Sequence, residues 1–402
     1  MTSPASPAKA RPRVAVVYHF YAHYRAAVVE ELARSTVADY EFLGDDRDFQ
    51  GSIKAATFSD RVRFRKCPCR QIKGPTMWQR GVIGAALGSR YDTIVFLSSP
   101  YWPATWIGAL VARLRGKRVL FWGIGWIAQP RKLKDRVRAA YYLLAHDLLL
   151  YGHNAKQIGI AEGFGPERMH VVFNSLNYAA QREAEAGLPA DSVTQVRQRL
   201  FANPDRPMVV CTTRLVPHRR LDMLIEALRL LREEGIEANL ALVGDGPERQ
   251  ALEAQARVAQ VPTTFTGALY REEEIAPIMT AANILVAPGM SGLATMHALG
   301  YGVPVITHDD PFEQAPESEA IQAGVTGDLF RRGDVHDLAR AMRPWLASPR
   351  PPRHVAEACR GIVARFYTPW FQRAAIDRAV LGREADDIFW LREGVPQPSE
   401  AS

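Results

Sequence analysis

The stretch "NILVAPGMSGLATMHALGYGVPVIT", Asn283 to Thr307, decides how this chain folds. It reads as an apolar strand, a loop of small residues, one helix and a second apolar strand, which is how a parallel sheet with a crossover helix is written. The same alternation runs along nearly the whole chain. In the first half the strand candidates are "RVAVVYH", "YEFLG", "DTIVFLS", "RVLFWG", "LLLYG" and "MHVVFN". In the second half they are "PMVVCTT", "ANLALVG", "TTFTG", "NILVAP", "VPVIT" and "TGDLF". Short runs that are apolar throughout suit strands covered on both faces. The expected fold class is α/β, with two doubly wound parallel-sheet domains.

Length supports two domains, because 402 residues with 47% hydrophobic side chains can build two cores. The expected organisation is an N-terminal domain over 1–176, a connector over 177–204, and a C-terminal domain over 205–350. Helices over 351–383 are expected to pack back toward the N-terminal domain, with a tail over 384–402. Between the halves, "SLNYAAQREAEAGLPADSVTQ" is polar and alanine-rich and reads as a connector followed by a helix.

Composition narrows the class. "MTSPASPAKARPR" is no charged-then-apolar leader, and no apolar run approaches the roughly 18 residues of a membrane span, so a soluble or peripheral chain is expected. Four cysteines, two of them in "KCPCR", make neither a disulfide framework nor a zinc set, which fits a reducing cytoplasm. The net charge of +7 favours an anionic partner. No basic-aromatic signature or recognition-helix pattern accompanies it, so no nucleic-acid partner is expected.

Ligands of open parallel sheets bind at the carboxyl ends of the strands, so the chemistry is sought in strand-to-helix loops. In "CTTRLVPHRRLDMLIEALRLL" a strand ends near Thr213, and Arg214 and Arg219 precede a helix with an apolar face. Guanidinium groups placed there can clamp a diphosphate and offset its charge as a leaving group departs; the competing reading is a solvated basic loop. In "LALVGDGPERQALEAQA", Gly244 and Gly246 permit a tight turn, with Pro247 at the helix start. A third glycine is missing, which argues against a dinucleotide fingerprint.

The order of these segments carries a resemblance. Arg214–Asp222, "LVGDGPE", "FTGAL", the quoted Asn283–Thr307 unit and "EAIQAGVTGDLF" together resemble the GT-B glycosyltransferases of family 4. The likeness is nearly continuous from about Val209 to Arg340. It is thinner in the first half, resting on "RVLFWGIGW", "LLLYGHNAKQI" and "VVFNSLN". It implies two Rossmann-like domains, transfer of a sugar from a nucleotide-sugar donor to a glycan or lipid-linked acceptor, retention of configuration, and no bound metal or other cofactor. Cell-surface polysaccharide or glycolipid synthesis, at the cytoplasmic face of a membrane, is the implied setting.

The resemblance also locates a departure. Members usually carry two glutamates at positions that here are Gly289 and His297. What remains is Ser291, Gly292 and Leu293, whose backbone N–H groups at a helix start can receive phosphate or sugar oxygens. His297 is left to address the ribose, with a packed or surface histidine as the alternative. Farther on, Glu319 falls by spacing where relatives place a donor-side glutamate, and Glu317 follows the proline as the usual pattern has it; either could cap the following helix. Two rival readings stay open: a GT-B protein that binds a glycan or nucleotide sugar without catalysis, and a nucleotide-sugar epimerase.

The first half should supply the acceptor side. In "YHFYAHYRAAVVEEL", His19, His23 and Arg25 cluster where the first strand ends, and Arg25 could meet a phosphate of donor or acceptor. In "FWGIGWIAQPRK", Gly123 follows a strand, and Trp122 and Trp126 are expected to face the cleft. Relatives often place a histidine where this chain has Ile124. Arg131, Lys132, Lys134, Arg136 and Arg138, with the aromatics of "GPTMWQRGV" and "PYWPATWIGAL", suit an anionic membrane surface.

Overall fold

The computed structural model describes residues 10–47, 54–126, 133–347 and 352–386. The chain divides into two compact units, the first running to Val172 and resuming at Pro369, the second spanning Phe173–Thr368.

The first unit holds β1 (Arg13–Phe20), β2 (Asp39–Asp45), β3 (Phe64–Lys66), β4 (Cys69–Lys73), β5 (Thr76–Gln79), β6 (Thr93–Leu97), β7 (Arg118–Gly123), β8 (Asp147–Leu150) and β9 (Met169–Val171). Its main sheet has the order β3-β2-β1-β6-β7-β8-β9 and is parallel throughout. β1 shows why the strands are apolar along their whole length. Ala15 and Val17 enter one core cluster, while Val14 and Val16 enter another on the opposite face. β4 and β5 form a separate antiparallel hairpin. Its exposed, polar "RQIK" gave no apolar signal, and it was not foreseen.

The second unit holds β10 (Met208–Thr212), β11 (Asn239–Val243), β12 (Thr263–Gly267), β13 (Ile284–Ala287), β14 (Val305–His308) and β15 (Gly327–Phe330), in the order β12-β11-β10-β13-β14-β15. All neighbours are parallel. The helix Leu221–Glu233 buries Leu221, Leu224, Ile225, Leu228 and Leu231 against this sheet, the i, i+3, i+4, i+7 stripe of a surface helix.

This is the GT-B architecture of two parallel-sheet α/β domains. In each sheet the strand order reverses at one place, between β1 and β6 in the first and between β10 and β13 in the second. Such switch points leave a crevice at the carboxyl ends of the strands.

The segment read as a connector is ordered as helices Tyr178–Ala186 and Ser192–Leu200, which pack on Glu272–Ala281 in the second unit. Helix Arg353–Phe366 packs on Leu293–Gly300 in the second unit. Helix Pro369–Val380 packs on Ala26–Leu32 in the first, where Arg373 meets Glu31 at 2.7 Å and Tyr40 donates to Asp377 at 2.7 Å. The expected tail lies largely outside the described residues. Among the described residues no helix is long and apolar enough to cross a membrane.

Candidate functional site

At the switch point of the second sheet, the loop after β10 meets the loop after β13. Cys211, Thr212, Thr213, Arg219, Ala287, Gly289, Met290, Ser291 and Ala294 line a small recess there. Arg219 sits in the short turn Pro217–Arg219, and its Nη1 donates to the carbonyl of Met290. Its Nε is buried without a partner, and burial lowers its pKa from the usual guanidinium value. Arg214, by contrast, is exposed. The structure therefore separates the predicted basic pair into one guanidinium set in the recess and one facing solvent.

The two glycines of the β11 loop have a packing reason. A Cβ on Gly244 would lie 1.8 Å from the carbonyl of Thr213, and one on Gly246 would lie 2.2 Å from that of Leu215. The chain accordingly hydrogen-bonds across this contact, from Leu215 N–H to the Asp245 carbonyl at 3.0 Å and from Glu248 N–H to the Leu215 carbonyl at 3.1 Å. These glycines let the β11 loop buttress the loop that carries Arg214 and Arg219.

Gly289 is explained in the same way. A Cβ there would lie 2.5 Å from the His218 carbonyl oxygen and 3.0 Å from the Arg219 Cα. The space a side chain would need is occupied by the β10 loop. Ser291 is buried, and its amide N–H donates to Gln314 Oε1 at 3.1 Å, so the amide expected to receive phosphate already has a protein acceptor. Gln314 also donates to Thr307 Oγ1 at 2.7 Å and ties this loop to β14. Gly292 takes φ +53° immediately before the helix Leu293–Gly300, so the amides of Gly292 and Leu293 remain at its open N-terminus. Nothing in the sequence singled out Gln314, since its contacts depend on how two loops close together.

His297 occupies the first turns of that helix, and its Nε2 lies 3.0 Å from Glu272 Oε2. Tyr301 donates to the same oxygen at 2.7 Å. Burial alone would raise the Glu272 carboxyl, but the His297 hydrogen bond and charge, with the Tyr301 bond, hold it below its ordinary range. The imidazole expected to meet a ribose thus meets a carboxylate from the helix after β12. Glu272 is the first of three glutamates at a helix start, Glu272, Glu273 and Glu274, where acidic residues complement the helix dipole, so its type and place alone did not mark a site.

Of the two candidate acids farther on, Glu317 is buried and accepts from Asn174 Nδ2 at 2.7 Å, a bond within the second unit. Glu319 is partly exposed in the short turn Pro316–Ala320.

The first unit carries a larger cavity, about 360 Å³, at its own switch point. Its lining comes from the segments after β1, β6 and β7, with His19 and Arg25, Ser98 and Ser99, and the Gly123–Gly125 backbone, closed by Arg138 and Tyr151. His19 packs edge-on against Trp102, with ring centroids 5.0 Å apart. Arg25 is held among aromatic rings: its guanidinium carbon lies 5.7 Å from the ring centre of Tyr18, 5.6 Å from that of Trp122 and 5.1 Å from that of Tyr151.

Three expectations for this unit are corrected. His23 is exposed and does not line the cavity. Trp122 is buried beneath Arg25 instead of facing a cleft. Trp126 belongs to the core, packed between Tyr142 and Phe164 at 4.5 and 4.9 Å, because Gly125 at φ +77° turns the chain inward after β7. Of the basic run, Arg131 and Lys132 lie outside the described residues, Arg136 is exposed, and Arg138 reaches the cavity. Tyr151 and the serine pair were not foreseen, since neither residue type stands out at a strand end.

Two doubly wound parallel-sheet units make up the GT-B fold. Residues 206–348, which include the recess around Arg219, match the family described as Glycosyl transferases group 1. Among characterised proteins the chain is 30% identical over 200 residues to the GDP-mannose-dependent alpha-(1-6)-phosphatidylinositol dimannoside mannosyltransferase of Mycobacterium tuberculosis, covering 49% of each. The chain thus spans about half the length of that relative. Among solved structures, Anabaena HepE in complex with UDP superposes with a TM-score of 0.68 at 15% identity, over 92% of this chain and 100% of that one. A structure of a putative UDP-N-acetylglucosamine 2-epimerase from Listeria monocytogenes superposes with a TM-score of 0.60 at 14% identity, over 94% and 100%. At these identities both likenesses speak to the fold.

Proposed function

We propose that the chain is a glycosyltransferase that moves a sugar from a nucleotide-sugar donor to a glycan or lipid-linked acceptor, with retention of configuration and without a metal. One observation carries the reading: the residues that match the transferase family surround a half-buried guanidinium, Arg219, at the switch point of the second sheet. A diphosphate leaving group gains negative charge as the glycosidic bond breaks, and a pre-placed cation in a partly desolvated recess stabilises that charge. The helix start at Gly292 and Leu293 adds backbone donors of the same sense. Arg214 and Glu319 would act from the rim. His297 reaches the donor only through its partner Glu272, and the pair together offers a hydroxyl-binding carboxylate where relatives offer one directly.

A lipid-linked acceptor is supported by the first unit. On helix Pro103–Leu114, Ile107, Leu110 and Leu114 are exposed along one face, and Tyr101, also exposed, lines the cavity mouth. Exposed apolar residues beside Arg113 and Arg115 at the end of the same helix match an anionic membrane surface. The mycobacterial relative is named as a phosphatidylinositol dimannoside mannosyltransferase, and a cell-surface glycolipid or polysaccharide role follows that likeness.

The second reading is a non-catalytic protein that binds a nucleotide sugar. The crowded Gly289 and the engaged Ser291 amide favour it, because neither leaves a carboxylate or free amide for the donor sugar. A thermal-shift screen against UDP-, GDP-, CMP- and dTDP-sugars, repeated with Arg219→Ala, tests donor binding. Stabilisation by one nucleotide class, lost in Arg219→Ala and accompanied by sugar transfer, supports the transferase. Stabilisation without transfer or hydrolysis selects the binding protein, and no stabilisation by any of them defeats both.

A further inference from the structure

We propose that the cavity of the first unit binds the phosphate of a phosphate-bearing acceptor, with Arg25 as the group that receives it. This rests on the acceptor role given to that unit above.

Arg25 is an unusual guanidinium. Its Nη2 donates to the Tyr151 hydroxyl at 2.5 Å, while its Nη1 is closed off from solvent and has no acceptor among the described residues. The ionisable groups that act on it most strongly among the described residues are the phenols of Tyr151, Tyr18 and Tyr24. A buried guanidinium with no carboxylate paired to it among the described residues is costly. The three ring faces offset part of that cost and fix the orientation of the fork, but a ring face carries no full charge. The group is therefore held ready for an anion that the protein itself does not provide.

The cavity supplies the rest of the recognition. Among the described residues its lining contains two guanidinium side chains, Arg25 and Arg138, and no aspartate or glutamate. The serine hydroxyls of Ser98 and Ser99 and the backbone around Gly123 add neutral donors. Two cations from separate elements suit a doubly charged phosphate better than a singly charged carboxylate. At about 360 Å³ the space admits the phosphate together with a ring of sugar or inositol size, and the aromatic walls give that ring a surface to rest on. The phosphate could belong to a lipid headgroup or to a soluble sugar phosphate; the recognition chemistry is shared.

The test uses the full chain carrying Arg219→Ala, so that the guanidinium of the second unit contributes nothing. Inorganic phosphate and sn-glycerol 3-phosphate are titrated calorimetrically into it and into the same protein with Arg25→Gln added. Both ligands should bind, and loss of the charge-assisted bonds should weaken binding about tenfold or more in the Arg25→Gln protein. Should Arg25→Gln fail to fold, Arg138→Gln on the opposite wall is expected to show the same loss. Co-sedimentation with phosphatidylinositol–phosphatidylcholine vesicles, against phosphatidylcholine alone, distinguishes the source. Vesicle binding that needs Arg25 supports a lipid headgroup, and vesicle binding indifferent to Arg25, beside soluble phosphate binding that needs it, supports a sugar phosphate. Equal phosphate affinity with and without both guanidiniums overturns the proposal. Nucleotide-sugar stabilisation of the native chain is read separately, so a failed donor site and a failed phosphate site give different results.

Discussion

Gly289 donates its N–H to the carbonyl of Arg219 at 3.1 Å, and the two backbones are so close that no side chain fits between them. The absence of a side chain at Gly289 is thus built into the packing of two loops. A carboxylate should not fit there: Gly289→Glu, and already Gly289→Ala, must push the Pro217–Arg219 turn aside. An overpacked contact of this kind costs about 1–3 kcal/mol. Both variants are expected to melt several degrees lower and to lose stabilisation by the donor nucleotide. A Gly289→Glu protein that gained donor affinity would show that the turn yields freely.

Arg219 offers a sharper test of chemistry. Lysine keeps the charge but loses the fork that reaches both the Met290 carbonyl and a ligand oxygen. If Arg219 stabilises the departing diphosphate, Arg219→Lys should lower kcat/KM about a hundredfold, near the cost of losing one transition-state donor. The effect should fall on kcat more than on KM, which steady-state kinetics with the donor identified in the nucleotide screen would show. An unchanged kcat with a raised KM would reduce Arg219 to a binding contact.

Glu272 predicts a pH dependence. Its folded carboxyl is held below the unfolded value by His297 and Tyr301, so its stabilising contribution is present above the ordinary glutamate pKa of 4.5 and is lost as pH falls through the lower folded value. Glu272→Gln should therefore destabilise the chain by about 1 kcal/mol near neutral pH. The difference should shrink as pH falls below 4.5 and the wild-type carboxyl in turn takes up its proton. Urea unfolding of both proteins from pH 7 down to the acid limit of folding measures it; a gap that widens on acidification would mean that the pairing is not what lowers the carboxyl.

The fold was legible because its signal is local. Every quoted run lies on a strand, and the central strands are buried on both faces, while the edge strands Thr263–Gly267 and Gly327–Phe330 are only partly buried. The site was legible only where a residue's role follows from its place along the chain. Arg219 lies at a strand-to-helix loop, and Arg25 at the end of β1, so both could be found by spacing. Gly244 and Gly246 read as a tight turn beside a donor and Gly289 as the place of an absent carboxylate, because a glycine that admits a ligand and one that admits another backbone are the same letter. Trp126 failed for a related reason: a single left-handed glycine, Gly125, sends its ring into the core, and no pattern in the sequence reports the φ angle of a loop. Gln314 and Glu272 act through contacts 23 and 25 residues away in sequence, a distance at which side-chain type alone says nothing.

The exposed apolar face of helix Pro103–Leu114 gives the last prediction. Leu110 and Leu114 are half or more exposed, and neither contributes to the core cluster beneath the helix, which is built instead from Ala104, Ala109 and Ala112. Replacing both with glutamate should leave the melting temperature within a degree or two, since surface changes away from packed features usually stay within about 0.5 kcal/mol. On a bilayer the same change removes two leucines from the interface and sets two negative charges against an anionic surface, where each basic residue contributes about 1 kcal/mol of attraction. Binding to phosphatidylglycerol-containing vesicles should fall at least about tenfold, while binding of nucleotide sugar to the second unit is unchanged. Raising salt should weaken the wild-type interaction as well, because the arginines beside this face act through a screened field. A double variant that still sediments with vesicles would remove the membrane from this face and leave the acceptor to be sought in solution.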